Sequence, residues 1–243
     1  MSAPRPLRFW LVTAAALAAI VITFSLGQWQ LGRGRERDAL QAQIDERQRQ
    51  AALSQVSLLS AQAGELMHRP VVLRGTWDAS HTVFLDNRQM HGMPGFYVVT
   101  PMKLDGAAKS VLVQRGWVPR NFDRRDQLPV VKTPGGVVEV QGRIAPPPSR
   151  LYDFKGTESG PIRQNLDIPG FAAETRLDLL GVSVQQTTPA ASEGLLRDWP
   201  SPGSGSERNY GYAFQWWALC AAIAILYAWF QFIAPRRKAP HAR

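Results

Sequence analysis

YAFQWWALCAAIAILYAWFQFI, residues 212–233, carries no charge, ends at Ala234-Pro235 and is followed at once by Arg236, Arg237 and Lys238. Crossing the hydrocarbon core of a bilayer takes about 20 apolar residues in a helix, and this run has enough. Its strongest polar interruptions, Gln215 and Gln231, lie near its ends. Tyr212, Trp216, Trp217, Tyr227 and Trp229 supply the amphipathic rings that favour membrane-water interfaces. Lys and Arg next to a span are retained in the cytoplasm, so the stretch predicts a transmembrane helix with a basic cytoplasmic tail, 234–243.

A second apolar run, Phe9 to Leu26, is broken only by Thr13, Thr23 and Ser25 and follows a short basic tail, 1–8. A cleaved signal has a core of roughly 7 to 15 residues and a small-residue site after it. Gly27-Gln28-Trp29-Gln30 is a poor site, so 9–28 is predicted to be an uncleaved transmembrane helix. Arg5 and Arg8 on its near side are balanced by Arg33, Arg35 and Arg37 on its far side, and the second span sets the orientation. With two crossings both termini are cytoplasmic, and residues 29–208 face the opposite compartment. Long loops cross largely regardless of their charge.

The chain has 243 residues, 45% hydrophobic and 19% charged, which fits one packed domain plus two anchors. A formal charge of +9 and a pI near 10.3 suit either nucleic acid or an anionic membrane. The basic residues gather at the membrane flanks and no nucleic-acid motif lies between them, so the lipid bilayer is the expected partner and nucleic acid is not. The single cysteine, Cys220, sits inside the second span, which excludes a disulfide framework, a CxxC pair and a cysteine-based zinc site.

Between the spans, Arg33 to Ala63 reads as a solvated stalk helix capped at Gly64, with a thin stripe of Leu40, Ile44, Leu53 and Val56; partner docking is its second reading. Strands follow over Val71 to Trp77, His81 to Arg88, Gly95 to Leu104, Ser110 to Val118 and Val137 to Ile144, antiparallel because their links are short. Met93-Pro94-Gly95 has the order of a type II turn, and Pro146-Pro147-Pro148 is a stiff break. Beyond it come a strand over Ile162 to Leu166, a helix over Asp167 to Leu180 and a strand over Val182 to Thr187; 200–208 is a Pro/Gly/Ser linker. The fold class is a membrane protein of α+β type: two transmembrane helices flank a mainly antiparallel β domain, 69–190, with one or two helices.

The sequence has no HExxH, GxSxG, Walker loop or suitably placed GxGxxG. His81, Asp86 and His91 form the best acid-base constellation, but on a strand His81 shares a face with Val83, Leu85 and Asn87 while Asp86 points the other way. Hydrogen bonding within a hairpin is the favoured role for these histidines. Gln114 to Arg120 admits two readings. It is a strand end in which Trp117 packs, Pro119 stops the ladder and the arginines face water or meet Asp123 and Asp126, or it is a basic and aromatic patch that grips a propionate or phosphate.

In order along the chain, Gly27-Gln28-Trp29-Gln30 with Arg33, Arg69-Pro70-Val71 with Gly75 and Trp77, Leu85-Asp86-Asn87-Arg88, and Gly92 with Pro94 to Pro101 make one pattern. Gln114 to Arg120, Asn165-Leu166-Asp167 and Tyr212 to Trp216 complete it. Together they resemble the Surfeit locus protein 1 family of membrane-bound cytochrome c oxidase assembly factors, over nearly the whole chain. The resemblance implies a non-enzymatic role in maturing the oxidase's catalytic subunit, with transient receipt of haem A from its synthase. It implies contacts with partners or anionic groups through Trp29, Arg33, Asn87, Arg88, Arg115, Trp117, Arg120, Gln215 and Trp216. In the family pattern a histidine stands three residues before the tyrosine that opens the second span. Here that place holds Asn209, so the haem contact is Tyr210, Tyr212 or a histidine of the outer domain, or haem is held weakly or not at all. The start Met1-Ser2-Ala3-Pro4 lacks an Arg- and Ser-rich presequence, so the expected location is a bacterial inner membrane with the central domain in the periplasm. Two other readings are a membrane-anchored scaffold that stabilises the oxidase without haem, and a tethered periplasmic hydrolase using His81 or His91.

Overall fold

The computed structural model describes residues 6–60, 66–121, 128–148, 160–200 and 205–237. They form two compact units, one of residues 1–42 with 201–243 and one of residues 43–200.

The first unit holds the two apolar helices. Helix α1, Leu7–Arg49, is continuous: Ala, Leu, Gln and Arg dominate, no proline interrupts it, and nothing separates the apolar part from the polar part that follows. The predicted helix to Ala63 ends at Arg49 instead, because Leu53 is drawn into the second unit as an isolated bridge to Val71. Its amide donates to the Pro70 carbonyl at 2.8 Å, and its carbonyl accepts from Val72 at 3.1 Å. The short α2, Gln55–Ser60, follows; the predicted cap at Gly64 lies outside the described residues.

Helix α4, Ser206–Ala228, begins six residues before the predicted span and so takes in the end of the predicted linker. It runs through a π-helical turn, Trp229–Ile233, into α5, Ala234–Arg237. Pro235 was expected to stop the helix. The wide turn accommodates it, with the Ala234 N–H reaching the Trp229 carbonyl five residues back. Both helices are long and apolar enough to cross a membrane, and most of their large apolar side chains are exposed.

The second unit is built on β1 (Pro70–Trp77), β2 (Val83–Met90), β3 (Met93–Leu104), β4 (Ser110–Pro119), β5 (Val137–Ala145), β6 (Ile162–Arg163) and β7 (Leu179–Thr188). Strands β1, β5, β7, β4 and β3 pair in that order and β3 returns to β1, so the sheet closes into a five-stranded barrel. The sheet is mainly antiparallel, as expected, with two parallel pairs, β4–β7 and β2–β6. These strands are far apart in sequence, and a long connection is what a parallel pair requires. Leu73, Met102, Val111, Val113, Val140, Ile144 and Val184 fill the interior, and Leu58 of α2 packs on it.

Strands β3 and β4 extend past the barrel. There β2 takes over the edge of β3, while a small hairpin of β8 (Ala191–Ser192) and β9 (Leu195–Leu196) joins β4. Helix α3, Ile168–Thr175, packs Ile168 and Phe171 against Val83, Leu85 and Leu112. Asp167 caps it by accepting from Gly170 at 3.0 Å. It stops well short of the predicted Leu180, because Arg176 turns left-handed (φ 59°) and Leu179 opens β7.

Two local corrections bear on the site. The β2–β3 turn is not at Met93-Pro94-Gly95, which lie in β3; it is His91-Gly92, both with positive φ (51° and 76°), between the paired Met90 and Met93. This is the two-residue loop that suits the twist of a hairpin. His81 is not in β2 but closes a 3₁₀ turn, Ala79–His81, so it does not share a strand face with Val83.

Candidate functional site

Two bulges arrange the motif residues of the second unit. Between Leu85↔Tyr97 and Arg88↔Gly95, β2 holds one residue more than β3, and Asn87 adopts φ 58° to absorb it. A bulge re-aims the side chains after it. Arg88 is consequently buried; its Nη2 donates to the Gln164 carbonyl at 2.9 Å and its guanidinium lies 5.8 Å from the Tyr97 ring centre. Burial holds the Arg88 pKa below the usual arginine value and pushes the Tyr97 phenol up.

The second bulge is in β4. Val98 faces Gly116 and Val99 faces Gln114, leaving Arg115 as the extra residue. Arg115 is completely buried, stacked 4.7 Å over Trp77, and donates to Thr133 Oγ1, the Lys132 carbonyl and Glu193 Oε2, each at 2.8 Å. Arg197 shares that carboxylate at 3.4 Å and donates to the Arg115 carbonyl at 2.7 Å. Trp117, also fully buried, donates its indole N–H to the Arg88 carbonyl at 2.8 Å. Gly95 lies under its ring: a Cβ there would come within 2.5 Å of Trp117 and 2.3 Å of the Val118 carbonyl. Gly116 gives β9 the same closeness, since a Cβ would meet Leu195 at 2.7 Å and the Leu196 carbonyl at 2.8 Å.

The predicted arginine-aromatic edge is therefore largely internal. Arg88, Arg115 and Trp117 knit β2, β4 and the β8–β9 hairpin together and have almost no surface for a partner. Arg115 does not face water; Asp123 and Asp126 lie outside the described residues. Arg120, partly exposed, pairs with Asp86 at 3.1 Å, and Asn87 is exposed. Glu193 and Arg197 escaped the sequence reading, since 78 residues separate Arg115 from Glu193 and only the barrel brings them together. Glu193-Gly194 just before Leu195-Leu196 carried a turn signal but no hint of an ion pair.

The constellation of His81, Asp86 and His91 is split three ways. His81 Nδ1 meets Asp78 Oδ2 at 2.7 Å, Asp86 holds Arg120, and exposed His91 meets Asp198 at 3.0 Å. Ser80 donates to Asp78 rather than to the histidine's far nitrogen, so Asp78-Ser80-His81 is a local turn, not a nucleophile and base. Burial pushes the Asp78 carboxyl up, but the bonds from Ser80 and His81 outweigh it and leave it below its ordinary value. Among the described residues no group of three His, Cys, Asp or Glu side chains could hold a metal ion.

In the first unit, α1 and α4 touch through small and polar residues. A Cβ on Gly27 would fall 2.3 Å from the Trp217 indole, and one on Gly34 would fall 2.8 Å from the Tyr210 ring. Asn209 donates to Gln30 at 2.7 Å, Tyr210 donates its hydroxyl to Asp38, and Thr13 bonds Tyr227 at 2.8 Å. Hydrogen bonds from Ser206 and then Tyr210 hold the Asp38 carboxyl below its ordinary value. Trp29, Arg33, Tyr212 and Gln215 are exposed and Trp216 is half-buried; Arg33 pairs with Glu36 at 2.9 Å.

The pattern of the SURF1 family matches residues 17–221, nearly all of this unit pair. The chain belongs to the SURF1 family. It is 27% identical to Surfeit locus protein 1 of Rattus norvegicus over 241 residues, 86% of this chain and 71% of that protein. It is 30% identical to Surfeit locus protein 1 of Arabidopsis thaliana over 120 residues, 44% of this chain and 33% of that protein. Cytochrome oxidase assembly protein SHY1 of Saccharomyces cerevisiae is 26% identical over 109 residues, 44% of this chain and 28% of that protein. Against the plant and yeast relatives, then, the chain spans about a third of their length.

The SURF1 reading carries an expectation of haem A, and the residues at the entrance to α4 can be tested for it. Asn209 is an amide, which is not a haem ligand, and its nitrogen is engaged by Gln30; the Tyr210 hydroxyl is engaged by Asp38. Neither fits an axial ligand.

Proposed function

We propose that this SURF1-family chain is a non-enzymatic assembly factor of cytochrome c oxidase, anchored by α1 and α4 in a bacterial inner membrane with its barrel domain in the periplasm. Its partner is the oxidase's catalytic subunit, with the haem A synthase beside it. The observation that carries this reading is the family match over residues 17–221, joined to the role in the name of the yeast cytochrome oxidase assembly protein. A holding role rather than haem ligation is supported by Asn209 and Tyr210, which are committed to Gln30 and Asp38, and by His81 and His91, which make local pairs.

Two measurements test the proposal. Membranes from a strain lacking the protein are compared with complemented membranes for oxidase turnover and haem A content; unchanged values in both would end the assembly reading. The protein purified from a haem A-producing host should show no haem absorbance. A stoichiometric haem spectrum would replace the holding role with delivery.

A further inference from the structure

The first unit contains a groove that no part of this function uses. Between α1 and the α4–π-turn segment lies an apolar cavity of about 1030 Å³, lined by Arg8, Val12 and Ala16 on one side and Ile223, Leu226 and Phe230 on the other. Its volume is at the upper limit for small-molecule sites, roughly 300–1,000 Å³.

Three features of this groove point to one occupant. The first is depth. Arg8 to Ala16 rises about 12 Å and Ile223 to Pro235 about 18 Å, so the groove covers about half of a roughly 30 Å hydrocarbon core, the thickness filled by one leaflet's acyl chains. The second is charge. The walls are apolar, yet Arg8 stands at one end and forms no ion pair among the described residues. The Phe9–Phe232 ring contact, 6.4 Å between centres, puts the start of α1 at the end of the helix pair where α5, Ala234–Arg237, follows the π turn. The third is shape. The π turn is part of the lining, through Phe230 and Gln231, and the Thr13–Tyr227 bond fixes the two walls.

We propose that this groove is a binding site for an anionic diacyl phospholipid of the cytoplasmic leaflet, with its acyl chains against Val12, Ala16, Ile223 and Leu226 and its phosphate on Arg8. Basic pockets between helices at the cytoplasmic side take such headgroups. The inference rests on α1 and α4 spanning the membrane as proposed above.

The full-length protein is purified in detergent, delipidated, and titrated with phosphatidylglycerol or phosphatidylcholine while thermal unfolding is followed. Parallel samples are analysed for co-purified lipid by mass spectrometry. The expected result is a rise in Tm with phosphatidylglycerol alone and its enrichment in the purified protein. R8Q should bind it about fivefold more weakly, about 1 kcal/mol for one basic residue at the surface. Ala16→Trp, which fills the groove, should lose the retained lipid, and Leu219→Trp, an exposed position outside the lining, should keep it. Helix content by circular dichroism confirms that each variant is folded. Equal response to both lipids, or retention in Ala16→Trp, overturns the site; so does loss of a co-purifying oxidase subunit in Ala16→Trp with lipid unchanged, which would assign the groove to a partner helix. The lipid readouts leave the oxidase-assembly reading untouched. Release of the protein from membranes by alkaline carbonate would instead remove the spanning reading itself.

Discussion

The indole nitrogen of Trp117 stands 2.8 Å from the backbone carbonyl of Arg88, which ties β4 to the bulge in β2 where that carbonyl would otherwise lie buried beside a fully buried ring. The motif around Leu85 and the motif around Trp117 are thus two halves of one packing unit.

Trp117→Phe keeps most of the ring volume and removes the donor, leaving the carbonyl unsatisfied at a cost of about 1–3 kcal/mol. Trp117→Ala adds a cavity and should cost about 3–5 kcal/mol. Denaturant midpoints followed by circular dichroism on the purified protein check the order; a Phe variant as stable as the parent would show that the bond contributes nothing.

Among the described residues, Glu193 is the one carboxylate shared by Arg115 and Arg197. Glu193→Gln leaves two guanidinium groups facing each other and should destabilise by about 3–5 kcal/mol. Arg115→Met is expected to be milder, because it removes a charge and leaves Glu193 with Arg197 alone. Arg115→Lys should not behave like the parent, since a single ammonium cannot serve Thr133, Lys132 and Glu193 in the geometry of the planar fork. Thermal unfolding ranks the three, and a milder Glu193→Gln would contradict the shared-carboxylate account.

How much of this was legible beforehand follows from the range of each interaction. Strands β1, β3, β4 and β5 and the cap at Asp167 were readable because alternation and capping are local signals. The two long apolar helices were readable from length and composition alone. The bulges at Asn87 and Arg115 were not, because one extra residue in a ladder changes no composition, yet each turns an arginine from water into the core. Barrel closure depends on β7 slipping between β4 and β5, a pairing with no local trace. For the site, the packing of Trp117 and the strand end at Pro119 were readable, but the burial of Arg115 was not: a residue expected to face water or grip an anion is an internal tie.

Glu174 accepts two bonds from Arg163, one at 2.8 Å from Nη1 and a second from Nη2, and this holds its carboxyl below the ordinary value of 4.5. A carboxylate depressed by folding contributes stability that is complete above its unfolded value and is lost as pH falls through its lower folded value. Glu174→Gln should therefore be less stable than the parent at neutral pH, with the gap closing only below about pH 4.5. Unfolding midpoints measured from pH 7 down to pH 3 decide it: a gap that is constant across that range would mean that the pair's charge is irrelevant.

Gly27 and Gly32 are both inside α1, but only Gly27 has a neighbour where a side chain would stand. A Cβ at Gly27 falls 2.3 Å from the Trp217 indole, whereas nothing lies within 4 Å of one at Gly32. In a helix interior, Gly→Ala alone is worth about 1 kcal/mol in favour of alanine. Gly32→Ala should accordingly leave the helix pair intact or raise its Tm. Gly27→Ala must displace the ring of Trp217, and with it the approach that lets Asn209 reach Gln30. Bismaleimide cross-linking of cysteines placed at 13 and 227, which spans the length of the Tyr227 ring whose hydroxyl now meets Thr13, reports the approach between α1 and α4. The link should form efficiently on the Gly32→Ala background and poorly on the Gly27→Ala background, and equal yields would mean that the small residue at 27 does not set the helix spacing.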